Sequence, residues 1–123
     1  MVYDNNLPIY LQVINDIKMR VVTGNMKAGD KMPSARDLAL QYQINPNTSQ
    51  RVYKELEMES ICVTKRGLGT FVTEDTEKIE RMREEMASQH IIAFIKGMKG
   101  LGYNKEELIH ILEHEFDDAK PNS

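Results

Sequence analysis

The stretch 32–72, MPSARDLALQYQINPNTSQRVYKELEMESICVTKRGLGTFV, limits the fold more than any other part of this chain. It reads as two short helices joined by a tight turn, followed by a glycine-tipped β-hairpin. Ser34 is placed to cap the free amides of a first helix, and Asp37 follows three residues on, close to a capping box. Leu38, Ala39 and Tyr42 then supply an inward face at helical spacing. A second start falls at 45–48, NPNT. Asn45 caps, and Pro46 suits the first helical position, where a missing N–H costs nothing. This second helix is expected over 46–59, with Ile44, Val52, Tyr53 and Leu56 directed at the first.

Asn47, Thr48, Gln50, Arg51 and Lys54 are left outside. Amides, hydroxyls and cations are the groups that read base edges and hold phosphates. A helix, a short turn and a second helix with a polar outer face is the helix-turn-helix arrangement. In the hairpin, Ile61, Val63 and Lys65 alternate with Cys62 and Thr64, and 70–73, TFVT, is rich in β-formers. Arg66, Gly67, Leu68 and Gly69 join the strands. The two glycines permit positive φ in a short turn and leave the backbone bare enough to approach a phosphate. A basic hairpin of this kind, directly after such a helix, is a wing. A winged module that binds protein is the alternative reading; the polar row and the basic tip favour nucleic acid.

Five pieces in order resemble the GntR superfamily of bacterial transcription regulators: PIYLQ at 8–12, PSARDLA at 33–39, NPNT at 45–48, YKELE at 53–57 and GLGTFV at 67–72. The short remainder, with NPNT opening the second helix, resembles the small-tailed YtrA-type branch. The resemblance implies a transcription regulator, most often a repressor, bound as a homodimer to an inverted-repeat operator in double-stranded DNA. It also implies control of a neighbouring membrane-transport operon, and a contact from Arg36 to the DNA backbone. The expected DNA-binding set is Ser34, Arg36, Asn47, Thr48, Gln50, Arg51, Lys54, Lys65, Arg66, Gly67 and Gly69. Whether Arg51 meets base or phosphate stays open.

Length and composition are compatible with this. The chain has 123 residues, enough for one small domain and an appendage, and 41% of them are hydrophobic, which supports a modest core. No apolar run approaches the roughly 18 residues of a membrane span, and the start lacks a signal-peptide pattern. Cys62 is the one cysteine, which excludes an intrachain disulfide and fits the reduced cytoplasm. It reads as a plain strand residue rather than a redox sensor. The net charge of −3 is unusual for a DNA binder. Residues 1–74 hold nine Lys and Arg against eight Asp and Glu, and 75–123 hold seven against eleven, so the acid sits in the tail. Modest non-specific affinity and strong salt sensitivity are expected.

Around the central stretch, 1–7 reads as a short arm. A helix follows from Pro8 to about Thr23, with Ile9, Leu11, Val13, Ile14, Ile17, Val21 and Val22 as a broad buried face and Gly24 as its C-cap. Residues 26–31 form a turn centred on Gly29 and Asp30. A long helix begins at Asp75 or Thr76, with Ile79, Met82, Met86 and His90 on one stripe. From Ile91 the pattern changes: Ile91, Ile92, Phe94, Ile95 and Met98 point in all directions. A helix apolar all round is covered all round, and the chain has little left to cover it, so a second copy is expected. Gly97, Gly100 and Gly102 are expected to break this helix. Asn104 caps the next one, with Glu107 three residues later and Leu108, Ile111, Leu112 and Phe116 as its stripe. The last five residues, AKPNS, are expected to fray.

The fold class is therefore mostly α with a small β wing: a winged helix-turn-helix over 1–74 and a two-helix dimerisation tail over 75–123. The pairing set is Ile91, Ile92, Phe94, Ile95, Met98, Leu108, Ile111 and Leu112. So short a tail cannot enclose an effector pocket without borrowing a partner's surface, and pairing is preferred to sensing. Residues 110–114, HILEH, match H-x-x-E-H, one form of zinc-peptidase motif. Nine residues then leave no room for the usual downstream ligand, so the motif reads as a solvated helix face. No enzyme, metal or cofactor is expected.

Overall fold

The structure is a computed structural model that describes residues 1–118. Its elements in order are α1 (Ile9–Val22), α2 (Ala35–Tyr42), α3 (Pro46–Met58), β1 (Cys62–Lys65), β2 (Gly69–Val72), α4 (Thr76–Gly100) and α5 (Lys105–Asp118). They fall into two compact units, the first being Met1–Arg83, which carries the first two turns of α4 with it, and the second beginning at Glu84.

In the first unit the helix starts form as local chemistry dictates. Ser34 Oγ accepts from Asp37 N at 3.1 Å, and Asn45 Oδ1 accepts from Asn47 N at 2.8 Å, with Pro46 opening α3. The core joins Val13, Ile14, Ile17 and Val21 of α1 to Leu38 and Tyr42 of α2, Val52, Tyr53 and Leu56 of α3, and Met32, Ile61, Cys62 and Val72. Each such burial contributes about 1.5–3 kcal/mol, so the three helices and the hairpin are held as one body. Ile79 and Met82 of α4 pack against the same core.

Three expectations for the first unit are corrected. The buried face of α1 is narrower than its apolar set, for Ile9 and Leu11 are exposed and Gln12 is buried. The Gln12 side chain binds the arm instead: Oε1 accepts from Asp4 N at 2.7 Å, and Nε2 donates to the carbonyls of Asp4 (2.6 Å) and Leu7 (2.9 Å). Tyr3 Oη donates to the Tyr42 carbonyl, which ties the arm to α2 as well. The strand alternation does not begin at Ile61. Ile61 and Cys62 are both buried and Val63 is exposed, because Ile61 precedes β1, just after the left-handed Ser60 (φ 60°). Lastly, the turn at 26–31 ends as a piece of sheet. Lys31 bridges Phe71, Met32 N donates to the Thr70 carbonyl (2.7 Å), and Val72 N donates to that of Asp30 (2.8 Å). Strand β2 thus lies between this segment and β1, which it meets in the register Cys62↔Val72 to Lys65↔Gly69.

In the second unit, α4 runs through Gly97 and ends at Gly100, so Gly97 is not a break. A lone interior glycine costs about 1 kcal/mol relative to alanine, too little to stop a long helix. The end is made by Tyr103 N donating to the Met98 carbonyl at 3.1 Å, with Gly102 left-handed. Asn104 and Glu107 form the reciprocal box: Asn104 N to Glu107 Oε1 at 3.0 Å, and Glu107 N to Asn104 Oδ1 at 2.9 Å. No residue of α4 or α5 is fully buried. Met98, Leu108 and Ile111 are half-buried, while Ile91, Ile92, Phe94, Ile95, Leu112 and Phe116 are exposed. The fraying expected of 119–123 lies outside the described residues. No helix among the described residues is long and apolar enough to cross a membrane.

Candidate nucleic-acid interface

The start of α2, one flank of α3 and the start of β2 enclose an open concavity of about 460 Å³. Its walls include Lys31, Ser34, Gln50, Tyr53, Lys54, Glu57, Gly69 and Thr70. Four residues of the expected set, Ser34, Gln50, Lys54 and Gly69, are thereby brought together. The walls are braced from behind. Tyr53 Oη donates to the Pro33 carbonyl, and Ser49 Oγ, fully buried, lies 2.6 Å from the Ala35 carbonyl and 2.8 Å from that of Pro46. Burial, with smaller contributions from nearby negative groups, raises the Tyr53 phenol well above its usual range, so this brace is neutral. Neither Ser49 nor Tyr53 was expected to act at the site. The partners that brace the start of α2, Ala35 for Ser49 and Pro33 for Tyr53, lie 14 and 20 residues away, beyond the reach of any local pattern.

The outer surface of α3 divides by angle. At about 100° per residue, Gln50 and Glu57 fall on the wing side, Asn47 and Lys54 along the middle, and Arg51 and Thr48 toward α1. Asn47, Gln50, Arg51 and Lys54 are exposed, and Thr48 is half-buried. The guanidinium carbon of Arg51 stands 3.6 Å from the centroid of the Tyr10 ring. Arg51 is therefore set apart from Gln50 and Lys54. Such a stack at an exposed site contributes about 0.5–1 kcal/mol.

On the wing, Lys65, Arg66, Gly67 and Gly69 are all exposed. Lys65 Nζ lies 4.8 Å from the Phe71 ring centroid, so its stem is steered along the hairpin. Gly67 (φ 78°) and Gly69 (φ 118°) hold left-handed conformations that a side chain would strain. A Cβ at Gly69 would stand 3.0 Å from Lys31 Cε. The bare backbone there leaves room for the Lys31 chain, which adds a cation that sequence reasoning missed. Only the bridge to Phe71 carries Lys31 to the site, and a turn residue gives no periodic signal. Glu57 accepts a hydrogen bond from Thr64 Oγ1.

Arg36 is exposed on the first turn of α2 and does not line the concavity. Among the described residues the ion pairs are Lys18–Glu59, Arg20–Asp16 and Arg83–Glu80, so Arg36, Arg51, Lys54, Lys65, Arg66 and Lys31 are not consumed by carboxylates. A net-acidic chain thus keeps these six cations of its first unit free of carboxylate partners. Cys62 is 2% exposed, and burial, assisted by the charge of Glu57, pushes its thiol up to about 12. It is a packed strand residue, as expected. His110 and His114 lie edge to face with ring centroids 4.6 Å apart on α5. No group of three or more His, Cys, Asp or Glu residues among the described residues is arranged to hold a metal.

A helix-turn-helix whose second helix and wing present open, cation-bearing surface defines a winged DNA-binding transcription regulator. Residues 9–72 match the model of the bacterial regulatory proteins of the gntR family, and the chain belongs to that family. It is 40% identical over 107 residues to the uncharacterized HTH-type transcriptional regulator YhcF of Bacillus subtilis, covering 87% of this chain and 88% of that one. It is 39% identical over 101 residues to the HTH-type transcriptional repressor YtrA of the same organism, covering 77% and 78%. A solved GntR family transcriptional regulator from Listeria monocytogenes superposes with a TM-score of 0.85 at 42% identity, covering 90% of this chain and 97% of that one. These matches extend beyond residue 74 into the tail, in keeping with the YtrA-type resemblance. The protein is a DNA-binding transcription regulator and not an enzyme.

Proposed function

We propose that the chain acts in the cytoplasm as a homodimeric repressor on an inverted-repeat operator. The observation that carries this reading is the concavity that unites Lys31, Ser34, Gln50, Lys54 and Gly69. In it, α3 enters the major groove with Asn47 and Lys54 toward the bases and Gln50 toward the wing side. The wing lies on the backbone or in the minor groove through Arg66, Gly67 and Gly69. Arg36 and Ser34 hold phosphate at the start of α2. The Ser34 oxygen already accepts from Asp37 N, and its proton is free to donate. Pairing uses Ile91, Ile92, Phe94, Ile95, Met98, Leu108, Ile111 and Leu112, most of which one chain leaves uncovered. Repression is supported by the likeness to the repressor YtrA. Control of a transport operon rests on the family resemblance alone.

Titration of DNA upstream of the protein's own gene tests this. Arg66→Ala should weaken binding and lower the salt slope by about one, and Lys54→Ala should weaken binding most on the operator itself. A full chain that binds no such DNA even at low salt would instead be an adaptor for another protein.

A further inference from the structure

We infer that Tyr10 is a positioning residue for Arg51: its ring holds the guanidinium on the α1 flank of α3, where it meets a backbone phosphate rather than a base edge. The inference rests on the proposed docking of α3 in the major groove. Arg51 lies 3.6 Å over the Tyr10 centroid, well inside the roughly 6 Å limit for a cation–π contact. Tyr10 is itself half-buried and packs against the core, so the platform is fixed. Stacking occupies the face of the guanidinium and leaves its in-plane N–H donors free. Among the described residues no carboxylate pairs with them.

The stack selects the target. Around α3, Arg51 leaves the helix about 100° from Gln50, about 60° from Lys54 and about 40° from Asn47, so its backbone position alone points near the middle. Gln50 and Lys54 line the concavity and Arg51 does not. A major groove has a floor of base edges between two phosphate ridges. The middle of an inserted helix faces the floor, and its flanks face the ridges. The stack on Tyr10 turns the Arg51 guanidinium from the middle to the α1 flank and holds it there.

The test uses the full chain, a duplex carrying the footprinted site, and a scrambled duplex of equal length. Arg51→Ala should weaken binding about tenfold on both duplexes and reduce the salt slope by about one. Tyr10→Leu should weaken binding about two- to fivefold, Tyr10→Phe should match the native chain, and Tyr10→Leu added to Arg51→Ala should cost nothing further. Arg51→Lys keeps the charge without the planar stack and should lose affinity while Tyr10 is untouched, which keeps the test open if Tyr10→Leu folds poorly. Loss on the footprinted duplex alone, with the salt slope intact, would make Arg51 a base contact and overturn the inference. So would additive losses from Tyr10 and Arg51, native affinity in Arg51→Lys, or a Tyr10→Leu chain that melts earlier yet binds DNA unchanged. Gln50→Ala and Lys54→Ala are measured alongside. If they weaken binding and the Tyr10 and Arg51 variants do not, only this inference fails; if none weakens it, the docking of α3 fails.

Discussion

Ser49 carries more of the reading head's geometry than its size suggests. Its hydroxyl, wholly removed from solvent, sits between the carbonyls of Ala35 and Pro46 and so fixes how α3 crosses α2. Ser49→Ala is expected to cost about 0.5–1.5 kcal/mol, read from a lower urea midpoint at unchanged slope. Gln43 poses the opposite case. It ends α2 in a left-handed conformation (φ 55°) that glycine adopts more freely. Gln43→Gly should raise stability by about 0.5–1 kcal/mol in the same measurement. What was legible at this scale depended on reach. Caps at Ser34, Asn45 and Asn104 involve partners two or three residues away and could be read directly. Gln12, Ser49 and Lys31 work through partners eight, 14 and 40 residues away, and no local pattern announces them.

At the scale of elements, the wing and the two helices before it behave as separate tests. Gly67→Val places a β-branched residue at φ 78° on an exposed tip, with nothing within 4 Å of the new Cβ. The first unit should remain folded by circular dichroism, while DNA affinity falls at fixed salt. The hairpin and α2–α3 body also carry a pH signature. Burial raises the phenols of Tyr42 and Tyr53 and the thiol of Cys62. Each folded value lies above its unfolded one, about 8.5 for a thiol and about 10 for a phenol. Their contribution is therefore complete below the unfolded values and is lost as pH rises toward the folded ones. The melting temperature should hold from pH 7 to about 8 and then decline above about 9. Tyr53→Phe should reduce the slope of that decline. Element bounds were well marked, since α3 was expected over 46–59 and spans Pro46–Met58. The edge piece at Lys31 was not, because a single bridge leaves no run of alternating residues.

For the whole molecule, the −3 charge matters less than where the charges stand. The tail holds the acid excess, while Lys31, Arg36, Arg51, Lys54, Lys65 and Arg66 of the first unit stand free of carboxylates. Sequence alone exposed the second feature of the molecule, the apolar surface from Ile91 onward, because a change from one-sided to all-round patterning is visible without any contact. How that surface is covered belongs to the proposed pairing. A fragment of residues 1–83 retains Ile79 and Met82 on the first unit's core and should be folded, monomeric in sedimentation and weak on DNA. The most direct measurement is a footprint titration of DNA upstream of the protein's own gene, at fixed salt, with the native chain and with Phe94→Asp. The native chain should protect two half-sites related by a two-fold axis, spaced by about 10 base pairs or a multiple of it. Phe94→Asp, which puts a charge in the pairing surface, should bind about 10²–10⁴-fold more weakly. Protection of a single half-site by the native chain, or undiminished binding by Phe94→Asp, would contradict the account.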